Sequence, residues 1–177
     1  MAQTTLFTRE QITHRVNEMA KQIGSDFAGS ELIALCVLKG AVFFCTDLVR
    51  GISSDVALDF IQISSYGNQK YSSGVVTILK EPQLDMRGKD VLIVEDIIDS
   101  GLSMREVFNY IESRGASKVK TATFLDKPKA RKVPFTADYV GFTIEPQFVV
   151  GYGLDFAEKY RNLPYVGTLR PGAYGGA

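Results

Sequence analysis

Val91-Leu92-Ile93-Val94-Glu95-Asp96-Ile97-Ile98-Asp99-Ser100-Gly101-Leu102-Ser103-Met104 is the stretch that decides how this chain is read. Val91 to Val94 is apolar without alternation, the pattern of a central strand buried on both faces. It runs straight into two adjacent carboxylates, Glu95 and Asp96. A third carboxylate, a serine, a glycine and a second serine follow. Met104, Val107, Phe108 and Ile111 then recur at helical spacing, and Gly115 supplies a stop. A helix that starts just after a strand offers free backbone N–H groups and the positive end of its dipole, which together suit a phosphate. Ser100 and Ser103 add hydroxyl donors, and Gly101 lets backbone approach a ligand. No lysine follows the glycine, so this is not the GxxxxGK[ST] loop of nucleoside triphosphate binding. Glu95 and Asp96 cannot serve the phosphate, because like charges repel. They suit sugar hydroxyls and magnesium instead. Acids beside an anion cradle therefore fit a sugar phosphate. A plainer reading makes Asp99 the cap of an acidic helix start. It accounts for Asp99 and Ser100 but not for acids that end a buried strand.

Outward from this stretch, strands alternate with helices. Thr8-Arg9-Glu10-Gln11 fits a capping box, and Ile12, Val16, Met19, Ala20 and Ile23 form the apolar stripe of the helix that follows, with Gly24 as its expected stop. His14 lies off the stripe, on the solvated face. Residues 32–38 are an unbroken apolar run, a second buried strand, ended by Lys39-Gly40. Residues 41–50 read as a helix closed by Gly51. Residues 56–64 suit a strand, residues 65–73 a polar loop, and residues 75–79 a strand pairing back. Residues 119–125, 139–144, 148–150 and 165–169 read as further strands, and 171–177 as a loose tail. The class is α/β with a central, mostly parallel sheet flanked by helices. Ligands in such sheets bind beyond the C-terminal ends of the strands, here the loops after Leu38, Val94, Leu125 and Val150. With no repeat and no linker, residues 1–177 are expected to form one domain.

Composition excludes several function classes. The chain has 177 residues, of which 45% are hydrophobic and 23% charged, so it has material for a core and is not of the disordered class. Lys plus Arg (20) balances Asp plus Glu (20), so no global field draws it to nucleic acid or to an anionic membrane. The 32–38 run is far too short to span a bilayer, and the first eight residues lack the basic flank and apolar stretch of a signal peptide. Cys36 and Cys45 lie in apolar surroundings without CxxC spacing, as buried free thiols would, and one histidine cannot complete a zinc site. A cytoplasmic address is expected.

The decisive stretch resembles the phosphoribosyl diphosphate (PRPP) motif of the type I phosphoribosyltransferases, and the form Val94-Glu95-Asp96-Ile97-Ile98-Asp99-Ser100-Gly101 resembles their hypoxanthine-guanine branch. Leu38-Lys39-Gly40, Ser65-Tyr66-Gly67, Leu125-Asp126-Lys127-Pro128, Phe148-Val149-Val150-Gly151-Tyr152-Gly153-Leu154-Asp155 and Tyr160-Arg161-Asn162-Leu163-Pro164 fall in family order. The similarity covers nearly all the chain beyond the first helix. It implies the type I fold, with a small hood built from the chain ends. It implies transfer of the phosphoribosyl group from PRPP to hypoxanthine or guanine, with magnesium, giving IMP or GMP and diphosphate. On this resemblance Glu95 and Asp96 hold the ribose hydroxyls and, with Asp155, the metal. Asp99 is the general base toward the purine imidazole nitrogen. Ser100, Gly101, Leu102 and Ser103 bind the 5′-phosphate, and Lys39, Gly40 and Arg161 the diphosphate. Lys127 donates to the 6-oxo group, Phe148 stacks on the base, the backbone of Val149 meets its edge and Asp155 sits near its exocyclic group. A strained Leu38–Lys39 peptide, with cis as an allowed form, is implied as well. Ser65, Tyr66 and Gly67 open a lid that excludes water, and a homodimer or homotetramer is expected. Without the resemblance, Lys127 reads as an exposed lysine, Phe148 as core and Arg161 as surface.

One pair of residues departs from the relatives. Pro146-Gln147 stands where an acidic and then a basic residue are common, which bears on base preference. Leu102 stands where some relatives carry lysine and leaves the backbone role of the loop intact. Two other readings are weighed against the enzyme. One is a xanthine-preferring transferase. The other is a PRPP-sensing regulator that binds nucleic acid through Lys118, Lys120, Lys127, Lys129, Arg131 and Lys132, against which neutral charge and the retained Asp99 weigh.

Overall fold

The computed structural model describes residues 4–65 and 76–169. The capping box at Thr8 forms as the sequence predicts: Gln11 N–H donates to Thr8 Oγ1 (3.3 Å) and Thr8 N–H donates to Gln11 Oε1 (2.9 Å). Helix α1 (Arg9–Asp26) follows the short strand β1 (Thr4–Phe7). Gly24 does not stop α1. It is buried inside the helix against Ile52 and Ser53, and the turn is made beyond it, where Phe27 caps the end and Gly29 takes φ +79°.

The remaining elements are β2 (Leu32–Leu38), α2 (Val42–Gly51), β3 (Val56–Ser65), β4 (Val76–Lys80), β5 (Asp90–Ile98), α3 (Leu102–Ser113), β6 (Lys118–Asp126), a 3₁₀ turn (Pro128–Ala130), β7 (Tyr139–Thr143), β8 (Val149–Val150) and β9 (Val166–Thr168). The main sheet runs β4-β3-β2-β5-β6-β7. All neighbours are parallel except β4, which returns antiparallel on β3 at one edge. Chain order runs outward in opposite directions from β2 and from β5. A crevice therefore opens between their C-terminal ends, the place such sheets use for ligands.

The apolar runs are explained by helices on both faces. Leu32, Cys36, Leu92, Val94 and Phe124 pack with the α1 stripe and with Phe44, Cys45 and Leu48 of α2. Ile33, Leu35, Val37, Val91 and Ile93 pack under Met104, Val107 and Ile111 of α3. Successive strand residues serve different layers, so no position can be polar until the strand leaves the core. Both cysteines are buried and free.

A second sheet, β1-β9-β8, joins the two chain ends, with Thr4 opposite Thr168 and Val150 opposite Gly167. Phe7 stacks on Phe142 of β7 at 4.0 Å between ring centres, which seats this hood on the main sheet. Of the expected lid, Ser65 ends β3, while Tyr66 and Gly67 lie outside the described residues. Among the described residues, no helix is long and apolar enough to cross a membrane.

Candidate active site

The site begins where β5 loses a neighbour. Pairing with β2 stops at Cys36 opposite Val94, whereas pairing with β6 continues to Ile98 opposite Asp126. The strand therefore does not end at the acids, as the sequence suggested, but carries them along one freed edge. The alternation slips there. Leu92 and Val94 belong to the α1/α2 layer and Ile93 to the α3 layer, but past the acids Ile97 joins the first and Ile98 the second. The carboxylates take over the backbone donors at the slip. Asp96 N–H donates to Glu95 Oε1 (3.0 Å), and Ile97 N–H donates to Asp96 Oδ1 (2.7 Å). Glu95 is only 8% exposed. Burial pushes its carboxyl well above the usual range, and the neighbouring Asp96 charge adds to this. Burial also raises Asp96, against the opposing pull of its hydrogen bonds and of Arg161.

The loop after β2 closes over the acids. It leaves the strand through a cis Leu38–Lys39 peptide. Gly40 lies so close to Asp96 that a Cβ there would overlap the carboxylate, and a Cβ on Gly153 (φ +100°) would overlap the Gly40 carbonyl oxygen. Hood turn, β2 loop and acidic strand thus stack backbone on side chain with no room for a methyl group. Tyr152 ties the same turn to α2 by donating its hydroxyl hydrogen to Asp47 (2.7 Å).

On the far side, Gly101 (φ +81°) turns the chain into α3 and, as its N-cap, has no side chain to offer. Leu102 N–H donates to Ser100 Oγ (3.3 Å), and the N–H groups that follow it in the first turn suit an anion. Asp99 is not the cap of the plainer reading. Its carboxylate pairs with Lys127 Nζ at 3.0 Å. Lys127 is buried, directly after β6, and its own N–H donates to the Ile98 carbonyl (3.0 Å).

These parts enclose a crevice of about 570 Å³, walled by Gly40, Glu95, Asp96, Asp99, Ser100, Gly101 and Ser103 and, from the hood, Asp155 and Arg161. A cavity of about 610 Å³ lies between α1, α2 and residues 161–164, but Asp47 is its one acid, so it has no acid pair. Arg161 donates to the Gly153 carbonyl (2.7 Å) and pairs with Asp155 (2.9 Å), while its Nε is buried without a hydrogen-bond partner. Asp155 also accepts from Glu158 N–H (2.9 Å). Lys39, Leu102, Lys127, Phe148 and Val149 are outside the crevice wall. Lys39 Nζ pairs with Glu158 (3.1 Å), Lys127 reaches the site through Asp99, and Val149 is buried in β8. Phe148 is 38% exposed and meets Phe156 edge-on.

Among the described residues, no three acidic, histidine or cysteine side chains converge on one point. The donor set is an adjacent acid pair rather than a closed cage, which is how magnesium is held when substrate oxygens complete its shell. Sequence reading missed Arg131, counted only as part of a basic run. Its guanidinium donates to the carbonyls of Ile98 (2.9 Å), Asp99 (2.8 Å), Lys127 (3.3 Å) and Phe135 (3.0 Å) and pairs with Asp126. Contacts to backbone oxygens leave no sequence pattern, so no motif marks it.

The phosphoribosyl transferase domain family model matches residues 2–157. The chain is 45% identical over 169 residues to the hypoxanthine-guanine phosphoribosyltransferase of Bacillus subtilis, covering 96% of this chain and 94% of that protein. It is also 45% identical over 172 residues to the bifunctional protein TilS/HprT of Listeria innocua, covering 97% of this chain but only 26% of that longer protein. A crystal structure of a hypoxanthine phosphoribosyltransferase from Staphylococcus aureus superposes with a TM-score of 0.95 at 39% identity, covering 99% of this chain and 95% of that one.

Proposed function

We propose that this chain, which belongs to the phosphoribosyltransferase family, is a purine-salvage enzyme that transfers the 5-phosphoribosyl group of PRPP to hypoxanthine or guanine. The observation that carries the reading is the Asp99–Lys127 pair standing next to an acid-lined crevice into which a helix start opens. One group can accept a proton, the other can donate to a 6-oxo oxygen, and both lie beside a place for ribose and phosphate.

In this reading the Ser100–Ser103 backbone and hydroxyls bind the 5′-phosphate, and Glu95 and Asp96 accept hydrogen bonds from the ribose hydroxyls. Arg161, on the crevice wall, offers its planar fork to the diphosphate, joined by the Gly40 loop and Lys39. The bond from carbon one of ribose to the diphosphate oxygen breaks through an oxocarbenium-like state. The purine imidazole nitrogen forms the new bond, and its proton passes to Asp99. Lys127 holds the 6-oxo group, Phe148 stacks on the base and Val149 meets its edge. Magnesium, when bound, offsets charge on the leaving diphosphate. Glu95 and Asp96 fit it as buried acids that a cation would relieve, and Asp155 would hold it through water. Residues 65–67 would close over the reactants and keep water from PRPP. We further take residues 1–177 as one domain that works in the cytoplasm as a homodimer or homotetramer, without nucleic acid.

The test is product formation from PRPP and magnesium with hypoxanthine, guanine, xanthine and adenine offered separately to the wild type and to Asp99→Asn. Turnover of the oxopurines, slowed at least about 100-fold in Asp99→Asn, is expected from loss of the base. Folded protein silent on all four bases overturns the reading.

A further inference from the structure

We propose that Arg131 is a positioning residue for this reaction: its guanidinium fixes the backbone of Asp99 to that of Lys127, so that base and purine-recognising lysine move as one unit. The inference rests on the function proposed above and adds to it a residue that touches no substrate.

Every nitrogen of the guanidinium is engaged. Nη1 donates to the Ile98, Asp99 and Lys127 carbonyls, Nε to Phe135 and Nη2 to Asp126. The side chain is 14% exposed, so water does not substitute for these contacts. The three Nη1 acceptors belong to two different segments, the approach to α3 and the end of β6. The aliphatic stem lies beneath the phosphate loop, since a Cβ on Gly101 would sit 3.3 Å from Arg131 Cδ and 3.1 Å from Phe135 Cβ. Lysine, with one nitrogen, cannot reproduce the fork.

The neighbouring contacts decide which half of the site depends on the side chain. The Ser100 carbonyl accepts from the backbone N–H groups of Lys132 (2.9 Å) and Val133 (3.3 Å), which no substitution at residue 131 removes directly. The phosphate cradle is thus braced by backbone, whereas the Asp99 carbonyl is braced by the Arg131 side chain. Losing the guanidinium should displace the base more than the cradle. A displacement of about 1 Å at reacting groups costs on the order of 100-fold in rate.

The experiment is a double-mutant cycle on the full chain, read by kcat, KM for PRPP and KM for hypoxanthine, with thermal unfolding of each protein. Arg131→Gln and Arg131→Lys are each made in the wild type and in Asp99→Asn. We expect kcat to fall about 10- to 100-fold in the wild-type background with PRPP KM within about threefold. In the Asp99→Asn background the same substitutions should have little further effect on kcat, because the group they position is gone. A residue that merely stabilises the fold would instead lower kcat by the same factor in both backgrounds. Equal factors, or a wild-type-like kcat in Arg131→Gln, overturn the proposal. If Arg131→Gln does not fold, Arg131→Lys, which keeps the charge beside Asp126, gives the same reading. An inactive wild type would count against the proposed function, and an active wild type with equal factors against Arg131 alone.

Discussion

Replacing Lys127 with methionine separates recognition from stability. Methionine keeps an unbranched stem of the same length, with sulfur in place of one methylene, and removes the ammonium. The lysine side chain is 11% exposed and its partner carboxylate on Asp99 is 55% exposed. An ion pair with one open member contributes under about 1 kcal/mol, and loss of the buried ammonium offsets part of that. Folding should change by no more than about 1 kcal/mol, or about 2–4 °C in Tm for a chain of this size. Recognition should change far more. A hydrogen bond from a charged donor to the 6-oxo oxygen contributes about 1.5–3 kcal/mol, which is about 10- to 150-fold in kcat/KM. The assay is steady-state IMP formation from hypoxanthine at saturating PRPP, beside thermal unfolding. Adenine offers an amino group there, so its far weaker turnover should not fall, and the oxo-over-amino preference should narrow by the same factor. Hypoxanthine kcat/KM within twofold of wild type, with Tm unchanged, would refute the reasoning, since Lys127 would then not touch the base.

Two further substitutions probe the frame around the acids. Gly153→Ala places a methyl group on the Gly40 carbonyl in left-handed backbone, whereas Gly88→Ala (φ +70°) meets nothing within 4 Å. The first should lower stability by about 2–4 kcal/mol and the second by about 1; equal Tm losses would sink the close approach of hood and β2 loop. Glu95→Gln should stabilise the metal-free protein at neutral pH while lowering turnover. Burial raises the Glu95 carboxyl above its ordinary 4.5, so its contribution to stability is complete below that value and is lost as pH rises through the higher folded value. The Tm gain of Glu95→Gln should therefore be small in acid and grow toward neutral pH, and a gain that shrinks instead would contradict the burial argument.

The parts legible in the sequence are those fixed by local pattern. The apolar runs of β2 and β5 announced strands covered on both faces, and the Thr8 box announced α1. The acids, the glycine and the serines announced the crevice, because each chemical type restricts what can sit beside it. What stayed hidden depends on partners far apart in sequence. Gly24 looks like a stop, but its missing side chain serves the packing of residues 52–53. Lys39 pairs with Glu158, 119 residues on, a contact that no local pattern announces. Arg131 could not be singled out, because backbone carbonyls look the same in every sequence.

The acid pair shows why such a site occurs at this point of the sheet. A carboxylate inside a strand ordinarily faces apolar neighbours, at a cost of several kcal/mol if charged. In β5 the pair comes where pairing with β2 has ended, and there the N–H groups of Asp96 and Ile97 donate to the carboxylates of Glu95 and Asp96. The slip in alternation is the local consequence, and it returns Ile97 and Ile98 to the core within two residues. Pairing with β6 holds at Glu95 and again at Ile97 and Ile98, on both sides of Asp96, and keeps the acids from moving with the loop that follows. The loop can then adapt around a substrate while Glu95 and Asp96 stay on the sheet. Polar groups in the adjacent loop, with Arg131 behind it, supply the rest of the chemistry without further acids in the core.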